Sequence, residues 1–398
     1  MPMRLDELGR LFVGLYGDGG GERIRCFASP GRVNLIGEHT DYNGGYVLPA
    51  ALSLCSTCAV RPRADGVVRL AATDLGGAPV EARLDSLDGY RGLKWGNYQL
   101  GVADQLLKAG YALPGCDMLF HDEVPLGAGL SSSAAIEVAS ALAFISTARG
   151  PAGGAPAMGM PEVAKLAQRA EHEYVGVKCG IMDQFASAMG REGHAMLLDC
   201  RDLSHRHIPL SIGGHAFVIA NTNKKRALSD SKYNERRAEC EAGLASLKAR
   251  MPGIACLGDV TVEGFEENAG AIADGVVRRR VRHVVHESRR VLDSVRALGF
   301  GNPTGFGRLM VASHESLKAD YEVTGMELDA LVEAALAQKG VLGSRMTGAG
   351  FGGCTVSLVR EADVEAFIEG AGSMYEKKVG YAATFYRCAT GDGGRELA

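Results

Sequence analysis

Apolar residues along the chain alternate between helical and strand-like spacing, which predicts a mixed α+β protein. Leu5, Leu8, Leu11, Phe12 and Leu15 fall at helical spacing and predict a short amphipathic helix. Strand-like sequence follows from residue 25 to about residue 84. Beyond it, the pattern predicts strands at 116–121, 195–200, 215–220, 355–359 and 383–388, and helices at 97–110, 134–146, 161–174, 231–249, 272–298, 303–320, 326–338 and 362–378. The closing order of helix, strand, helix and strand is typical of an α+β domain, and the residues from Thr390 onward are expected to be frayed.

A block rich in glycine and serine, PLGAGLSSSAAIEV at 125–138, precedes the helix predicted at 134–146. Glycines let a ligand approach the backbone closely, and a helix N-terminus attracts phosphate through its free N–H groups and its dipole. The serines can cap the helix, or one hydroxyl can contact a magnesium ion. The block is not a Walker A motif, because no Lys follows its glycines. A serine-capped helix after a glycine turn is the simpler alternative.

A second polar block, PGRVNLIGEHTDYNGG at 30–45, joins two strand-like segments. Charged, multifunctional loops between apolar strands are common places for binding chemistry. Glu38, His39 and Asp41 suit the hydroxyls of a sugar, because carboxylates accept from O–H groups and imidazole can donate or accept. A solvated turn is the alternative, and a transition-metal site is disfavoured because the block contains one His.

Further candidate chemistry lies near residue 180 and in a third glycine block, RMTGAGFGGCTV at 345–356. Glu171 and Glu173 close a predicted helix, where acidic residues oppose the helix dipole. A bound cation would explain this placement, and a solvated Glu is the alternative. Asp183 lies just after Gly180, near a predicted helix start, where an ionised carboxylate is favoured, and by itself it is interpreted as a capping residue.

Composition narrows the possible functions. With 398 residues, the chain is long enough for two domains, and its net charge of −4 argues against general nucleic-acid binding. The basic run at 278–282 and the polar loop at 221–226 are therefore interpreted as solvated, and the Gly/Pro/Ala stretch at 150–157 as an exposed loop. No apolar run reaches the length of a membrane helix, no secretory signal is expected, and ten scattered cysteines favour reduced thiols in the cytoplasm. Cys55 and Cys58 are expected to pack in a strand.

Together the three blocks resemble those of the GHMP kinases and, within that superfamily, of the galactokinases. CGIMDQ at 179–184 and VRHV at 281–284 are also similar to galactokinase sequences, so the resemblance spans nearly the whole chain. It implies a two-domain GHMP kinase fold with the active site between the domains. Residues 1–192 would form an N-terminal α/β domain like ribosomal protein S5, and residues 193–398 a C-terminal ferredoxin-like domain.

The resemblance also implies the roles of individual residues. Asp183 matches the catalytic aspartate and Arg32 its partner arginine, while Ser133 and Glu171 match the Mg²⁺ positions. The reaction would transfer the γ-phosphoryl of ATP to the C1 hydroxyl of α-D-galactose, with Asp183 either taking the hydroxyl proton or only orienting the hydroxyl. The galactose-binding positions would be Glu38, His39, Asp41, Gly180 and Tyr233, and the ATP-binding loop would be Gly127, Ala128, Gly129, Leu130, Ser131, Ser132 and Ser133.

Two alternatives to this interpretation stay open. One is another sugar kinase of the same family, such as an N-acetylgalactosamine kinase. The other is a catalytically silent galactose sensor similar to fungal paralogues that lack a Ser-Ala pair in the phosphate loop, which the presence of Ser133 and Ala134 disfavours. The expected ligands are galactose and ATP with Mg²⁺. We expect a cytoplasmic monomer with no nucleic-acid or membrane partner.

Overall fold

The computed structural model describes residues 3–76, 78–151, 154, 157–224, 229–387 and 389–398. Its helices are α1 (Leu5–Tyr16), α2 (Gly96–Lys108), α3 (Ser132–Thr147), α4 (Met160–Ala170), α5 (Met182–Met189), α6 (Ser229–Lys248), α7 (Val262–Asn268), α8 (Gly275–Gly299), α9 (Pro303–Ser316), α10 (Met326–Leu336) and α11 (Val364–Val379). Its strands are β1 (Arg25–Asn34), β2 (Tyr46–Val47), β3 (Pro49–Pro62), β4 (Val67–Ala72), β5 (Val80–Arg83), β6 (Cys116–Asp122), β7 (His194–Asp199), β8 (His205–Pro209), β9 (His215–Asn221), β10 (Val341–Thr347), β11 (Cys354–Arg360), β12 (Thr384–Arg387) and β13 (Arg395–Leu397).

The N-terminal part is built on a six-stranded sheet with the strand order β13-β1-β3-β6-β4-β5. Neighbouring strands are antiparallel, except that β4 and β6 run parallel. Helices α3 and α5 pack on β1 and β3, and α2 and α4 pack beside them. Helix α1 lies near β3 and β6, where its buried residues Leu8 and Phe12 contact Ala59 and Leu119. The alternation of side chains along β3 therefore serves two cores, one on each face of the sheet.

The C-terminal part contains an antiparallel sheet of order β10-β11-β9-β12, with α9 and α10 against β10 and α11 against α10. A third sheet, β2-β7-β8, ties the second polar block to the middle of the chain. One hydrophobic core includes Val33 and Leu48 from the first half together with Ile219, Phe306 and Val356 from the second. The predicted boundary between residues 192 and 193 is thus crossed by a shared core, and it stays a prediction.

The prediction that the residues from Thr390 onward are frayed is wrong. Thr390 pairs with Leu52, the Gly391 N–H donates to the Ala51 carbonyl at 2.9 Å, and β13 adds to the edge of β1. Arg25 forms a bidentate ion pair with Glu396, whose side-chain oxygens lie 2.7 and 2.8 Å away. The short tail carries little apolar periodicity, and its order comes from an exposed strand edge that the sequence pattern alone does not reveal.

Other differences concern helix ends and charges. The helix predicted at 161–174 is α4 followed by a π-helical turn, Glu171–Val175, and the one predicted at 303–320 is α9 followed by a second π-helical turn, Leu317–Tyr321. Arg280, expected on a solvated face, is buried and paired with Glu239 at 2.9 Å and with Glu322. Its neighbours Arg279 and Arg282 are partly exposed, as expected.

The remaining sequence predictions divide between described and undescribed residues. Cys55 and Cys58 lie buried in β3, which confirms packing in a strand. In the loop predicted at 150–157, Pro151 and Gly154 are exposed, and residues 152, 153, 155 and 156 lie outside the described residues, as do 225 and 226 of the polar loop at 221–226. Within the described ranges, no helix is both long and apolar enough to cross a membrane.

Candidate active site

A cavity of about 750 Å³ gathers residues from every block that the sequence singled out. The second polar block, the glycine–serine loop, the segment around Asp183, helix α6 and the third glycine block all contribute to its wall. The predicted site residues that line it are Arg32, Glu38, His39, Asp41, Gly127, Gly129, Ser131, Ser132, Ser133, Glu171, Gly180, Asp183 and Tyr233. Ala128 and Leu130 do not line the cavity, because their side chains are buried in the hydrophobic core.

Asp183 and Arg32 form the best-defined ion pair of this cavity. Asp183 is in the first turn of α5, and Arg32 follows a register shift in β1. Arg32 Nε donates to Asp183 Oδ1 at 2.8 Å and Nη2 donates to Oδ2 at 2.7 Å, while Nη1 donates to the Gly129 carbonyl at 2.7 Å. One buried guanidinium therefore fixes the carboxylate relative to the glycine–serine loop.

Ser131 adds a contact that the sequence did not reveal. It precedes α3 with a left-handed φ of 61°, and its hydroxyl makes no capping bond. Instead Ser131 Oγ donates to Asp183 Oδ2. The prediction that the serines cap the helix is therefore wrong for Ser131. Its backbone conformation, uncommon for a residue with a Cβ, aims the hydroxyl at the carboxylate.

The Asp41 carboxylate lies directly against the backbone of Gly180. A Cβ atom on Gly180 would lie 1.6 Å from Asp41 Oδ2 and 2.2 Å from its Cγ, so a side chain at position 180 cannot coexist with this carboxylate. Burial, and after it the charge of Asp183, raises the pKa of Asp41 to about 6. The absence of a side chain at Gly180 is what lets Asp41 face the cavity.

The third glycine block holds Glu38, the neighbour of His39. The Gly348 N–H donates to Glu38 Oε1 at 2.8 Å, and Arg345 Nη1 approaches the same oxygen at 3.4 Å and donates to the Asn34 carbonyl at 2.9 Å. Arg345 is fully buried. The sequence marked this block by its glycines, but the role of Arg345 as the partner of Glu38 needed the structure.

His39 has a left-handed φ of 62°, which is uncommon for a non-glycine residue. Its Nδ1 lies 2.8 Å from the Tyr42 hydroxyl, and its ring centroid lies 5.8 Å from that of Tyr233 and 4.8 Å from that of Tyr321. Burial lowers the pKa of His39 to about 3, so the ring is neutral at physiological pH. A neutral imidazole donates with one nitrogen and accepts with the other.

The two residues expected at a metal ion, Ser133 and Glu171, both line the cavity. Glu171 lies in the π-helical turn after α4, a kind of turn often found at functional sites, and burial raises its pKa to about 7. Gln184 Nε2 donates to Glu171 Oε2 at 2.8 Å and to Glu137 Oε2 at 3.1 Å. The sequence did not single out Glu137, although it lies one helical turn after Ser133.

These residues fit a magnesium ion. Glu137 Oε1 is buried and has no hydrogen-bond partner among the described residues. The atoms that could coordinate a metal ion here are carboxylate and hydroxyl oxygens. In the part of the chain that the structure describes, no three His, Cys, Asp or Glu side chains converge as a metal cage. Mg²⁺ commonly uses one or two carboxylates and takes its other ligands from phosphates and water, so this donor set suits it.

Family models match three parts of the chain. Residues 10–62 match the galactokinase galactose-binding signature, residues 97–191 the N-terminal domain of GHMP kinases, and residues 291–377 the C-terminal domain of GHMP kinases. The galactokinase of Bacillus subtilis is 45 % identical over 394 residues, covering 98 % of this chain and 99 % of that one. The galactokinase of Clostridium acetobutylicum is 47 % identical over 373 residues, covering 93 % and 94 %.

Solved structures agree with these matches. The crystal structure of Lactococcus lactis galactokinase complexed with galactose has a TM-score of 0.93 and 41 % identity, covering 99 % of this chain and all of that one. A mevalonate kinase shares the fold alone, with a TM-score of 0.62 and 20 % identity over 92 % of this chain. The similarity to galactokinases extends over almost the full length and includes the polar block that carries Glu38, His39 and Asp41. The chain therefore belongs to the galactokinase family of the GHMP kinases.

Proposed function

We propose that this protein is an ATP-dependent galactokinase, which transfers the γ-phosphoryl of ATP to the C1 hydroxyl of α-D-galactose. The observation that carries the proposal is the Arg32–Asp183 pair, which lies in one cavity with the polar block of Glu38, His39 and Asp41 and with the glycine–serine loop. A sugar and a phosphate donor bound at these two blocks would meet at Asp183.

The sugar side of the cavity offers acceptors and donors at several angles. The carboxylates of Glu38 and Asp41 accept from sugar hydroxyls, and neutral His39 can donate or accept through the nitrogen that faces away from Tyr42. Gly180 leaves room for Asp41, and the Tyr233 ring closes the wall from α6. A site built from such groups rejects an epimer because a misplaced hydroxyl leaves a buried polar group unpaired.

The phosphate side uses the loop from Gly127 to Ser133 and the start of α3. Gly129 adopts a φ of 80°, which a residue with a Cβ seldom adopts, three residues before the first residue of α3, whose N-terminus suits a phosphate. Ser133 and Glu171 would hold Mg²⁺, which when bound neutralises charge on the ATP phosphates. The loop residues provide N–H groups and hydroxyls, and helix α3 adds the positive end of its dipole.

Asp183 is arranged to hold one hydroxyl. An ionised carboxylate has about four lone-pair sites. Arg32 takes two through Nε and Nη2, and Ser131 takes a third, which leaves one site for the C1 hydroxyl. Phosphoryl transfer depends mainly on positioning and charge stabilisation. Asp183 therefore orients the hydroxyl and accepts its proton as the new O–P bond forms and the bond to ADP breaks, giving galactose 1-phosphate and ADP.

The test is ADP release by the purified protein with Mg-ATP and galactose, glucose, talose, N-acetylgalactosamine or no sugar. We expect turnover with galactose to exceed that with each other sugar. Turnover confined to N-acetylgalactosamine or another sugar would overturn the substrate. Thermal stabilisation by galactose without ADP release would indicate a sugar-binding protein and overturn the catalytic roles.

We further propose that the protein acts as a monomer in the cytoplasm. All nine described cysteines are free thiols, which suits a reducing compartment. Sedimentation at micromolar concentration with galactose and ATP tests the first statement, and cell fractionation tests the second.

A further inference from the structure

Behind the sugar side of the cavity, polar side chains form a continuous hydrogen-bonded line. The Tyr42 hydroxyl lies 2.8 Å from His39 Nδ1 and 2.9 Å from the Tyr321 hydroxyl, which lies 3.1 Å from Cys240 Sγ. Tyr321 and Cys240 are fully buried. We call these three residues, Tyr42, Tyr321 and Cys240, the tyrosine chain. It runs from the cavity wall, which Tyr42 and His39 both line, into the core.

Distant elements hold the tyrosine chain rigid. Tyr42 comes from the second polar block, Cys240 from the middle of α6, and Tyr321 from the end of the π-helical turn that follows α9. The ring of His283 packs against that of Tyr321 at an angle of 40° with centroids 4.6 Å apart, and His283 Nε2 lies 3.1 Å from the Glu38 carbonyl. Aromatic rings packed in this way have few alternative rotamers. The packing therefore fixes which side chains of the tyrosine chain hydrogen-bond to each other.

The chemistry of Cys240 and His39, at the two ends of the line, decides in which direction its hydrogen bonds are donated. A thiol is a weak acceptor and a weak donor, whereas a neutral imidazole nitrogen is a strong acceptor. The best arrangement runs from the Cys240 thiol to Tyr321, from Tyr321 to Tyr42, and from the Tyr42 hydroxyl to His39 Nδ1. The reverse arrangement would end on sulfur and lose its strongest bond. In the favoured direction, Nδ1 accepts and the proton of the neutral ring sits on Nε2.

His39 Nε2 is the free end of this line. It is buried, and it has no hydrogen-bond partner of normal geometry among the described residues, although the Ala349 backbone is nearby. His39 and Ala349 both line the cavity. An N–H that is buried without a partner is costly, and a ligand oxygen that accepts from it is favoured in return.

We propose that the tyrosine chain holds neutral His39 in the tautomer that presents Nε2–H to a hydroxyl oxygen of galactose, so that Tyr42 and Tyr321 are positioning residues for sugar recognition. The same hydroxyl then donates its own proton to a carboxylate, Glu38 or Asp41. This inference rests on the proposed function, since it requires that His39 contacts the sugar.

Steady-state kinetics on Tyr42→Phe and Tyr321→Phe separate positioning from general structural damage. Each variant keeps its ring and loses one hydroxyl. We expect Tyr42→Phe to raise the KM for galactose about fivefold to tenfold with kcat within about twofold, and Tyr321→Phe to raise it less. Tyr375→Phe is the control, because that hydroxyl is also buried but donates to the Thr222 carbonyl at 2.7 Å, away from the cavity. It is expected to leave KM unchanged.

The KM values for a panel of deoxygalactoses distinguish a positioning role from a purely structural one. One analogue lacks the hydroxyl that His39 contacts, and for that analogue Tyr42→Phe is expected to have no further effect, while the effect persists for the others. In the chain itself, Cys240→Ser retains an O–H donor and should raise KM less than Cys240→Ala does. The nitrogen chemical shifts of His39 should report a proton on Nε2 in the parent and a mixture of tautomers in Tyr42→Phe.

His39→Gln distinguishes the possible failures. If His39→Gln raises the KM for galactose but Tyr42→Phe and Tyr321→Phe do not, the tyrosine chain has no positioning role and the proposed sugar contact stands. If His39→Gln leaves KM unchanged, the sugar contact assigned to His39 is wrong and the positioning role falls with it. An equal rise in KM for every deoxygalactose would also overturn the inference, because it would indicate a general distortion of the site.

Discussion

Replacing Gly180 by Ala tests the sugar side of the cavity through one added methyl group. The new Cβ would lie 1.6 Å from Asp41 Oδ2, whereas carbon and oxygen atoms in contact need about 3.5 Å, so the carboxylate must move by about 2 Å. A displacement of this size breaks any hydrogen bond that Asp41 makes to the sugar. Hydrogen bonds to charged groups contribute about 1.5–3 kcal/mol, which corresponds to an increase of about 10- to 150-fold in the KM for galactose.

The assay measures ADP release against galactose concentration, and against ATP concentration at saturating galactose. We expect the KM for ATP to change by less than about threefold, because the phosphate loop is not displaced. Gly275→Ala is the matched control, since a Cβ there meets no atom within 4 Å. In an Asp41→Ala background, Gly180→Ala should add little, because the clash is gone. A normal KM for galactose in Gly180→Ala would refute the assignment of Asp41 to the sugar.

Three further variants test separate parts of the site. Asp183→Asn should lower kcat at least about 1000-fold, because the charge proposed to receive the hydroxyl proton is lost. Galactose should still raise the melting temperature, because the proposed contacts of Glu38, His39 and Asp41 with the sugar remain. Near-normal turnover would contradict the role of Asp183. Arg345→Met should lower the free energy of unfolding, measured in urea, by about 3–5 kcal/mol, because it leaves the buried Glu38 carboxylate without its cation. A loss below about 1 kcal/mol would show that Glu38 does not depend on Arg345. Burial raises the pKa of Asp41 to about 6, so its contribution to stability is complete below pH 4 and is lost as the pH rises toward 6. Asp41→Asn should accordingly gain stability relative to the parent between pH 4 and pH 7, by about 2 kcal/mol, and a constant difference across that range in thermal unfolding would exclude this explanation.

Much of the fold was predictable from local pattern. Helices α2, α3, α6, α8, α10 and α11 lie within a few residues of their predicted positions, because their apolar faces are periodic over many residues. The tail was predicted wrongly, because β13 has three residues and its order depends on the free edge of β1. The two π-helical turns were not predicted either. Each follows an ordinary helix in sequence, and the inserted residue shows only in the backbone geometry.

The residues of the site also divide into those that the sequence predicted correctly and those whose placement only the structure revealed. Glu38, His39, Asp41 and the glycine–serine loop were chosen from the sequence as groups able to bind a sugar and phosphates. Asp183 was chosen from the family resemblance, and the structure brings all of them to one cavity. Ala128 and Leu130 were included only as members of a contiguous motif, and their side chains instead fill the core. Whether a side chain in a loop faces a ligand or the core depends on the backbone dihedrals, which a motif does not specify.

By itself, the sequence determined which chemical groups are available and which segments become helices or strands, because both are properties of a residue and its near neighbours. Only the tertiary structure decided the pairings. Arg345 meets Glu38 across 307 residues and Tyr321 meets Tyr42 across 279, and neither pair leaves a trace in local periodicity. Such contacts arise when sheets and helices pack into one core, so their partners are set by the whole fold.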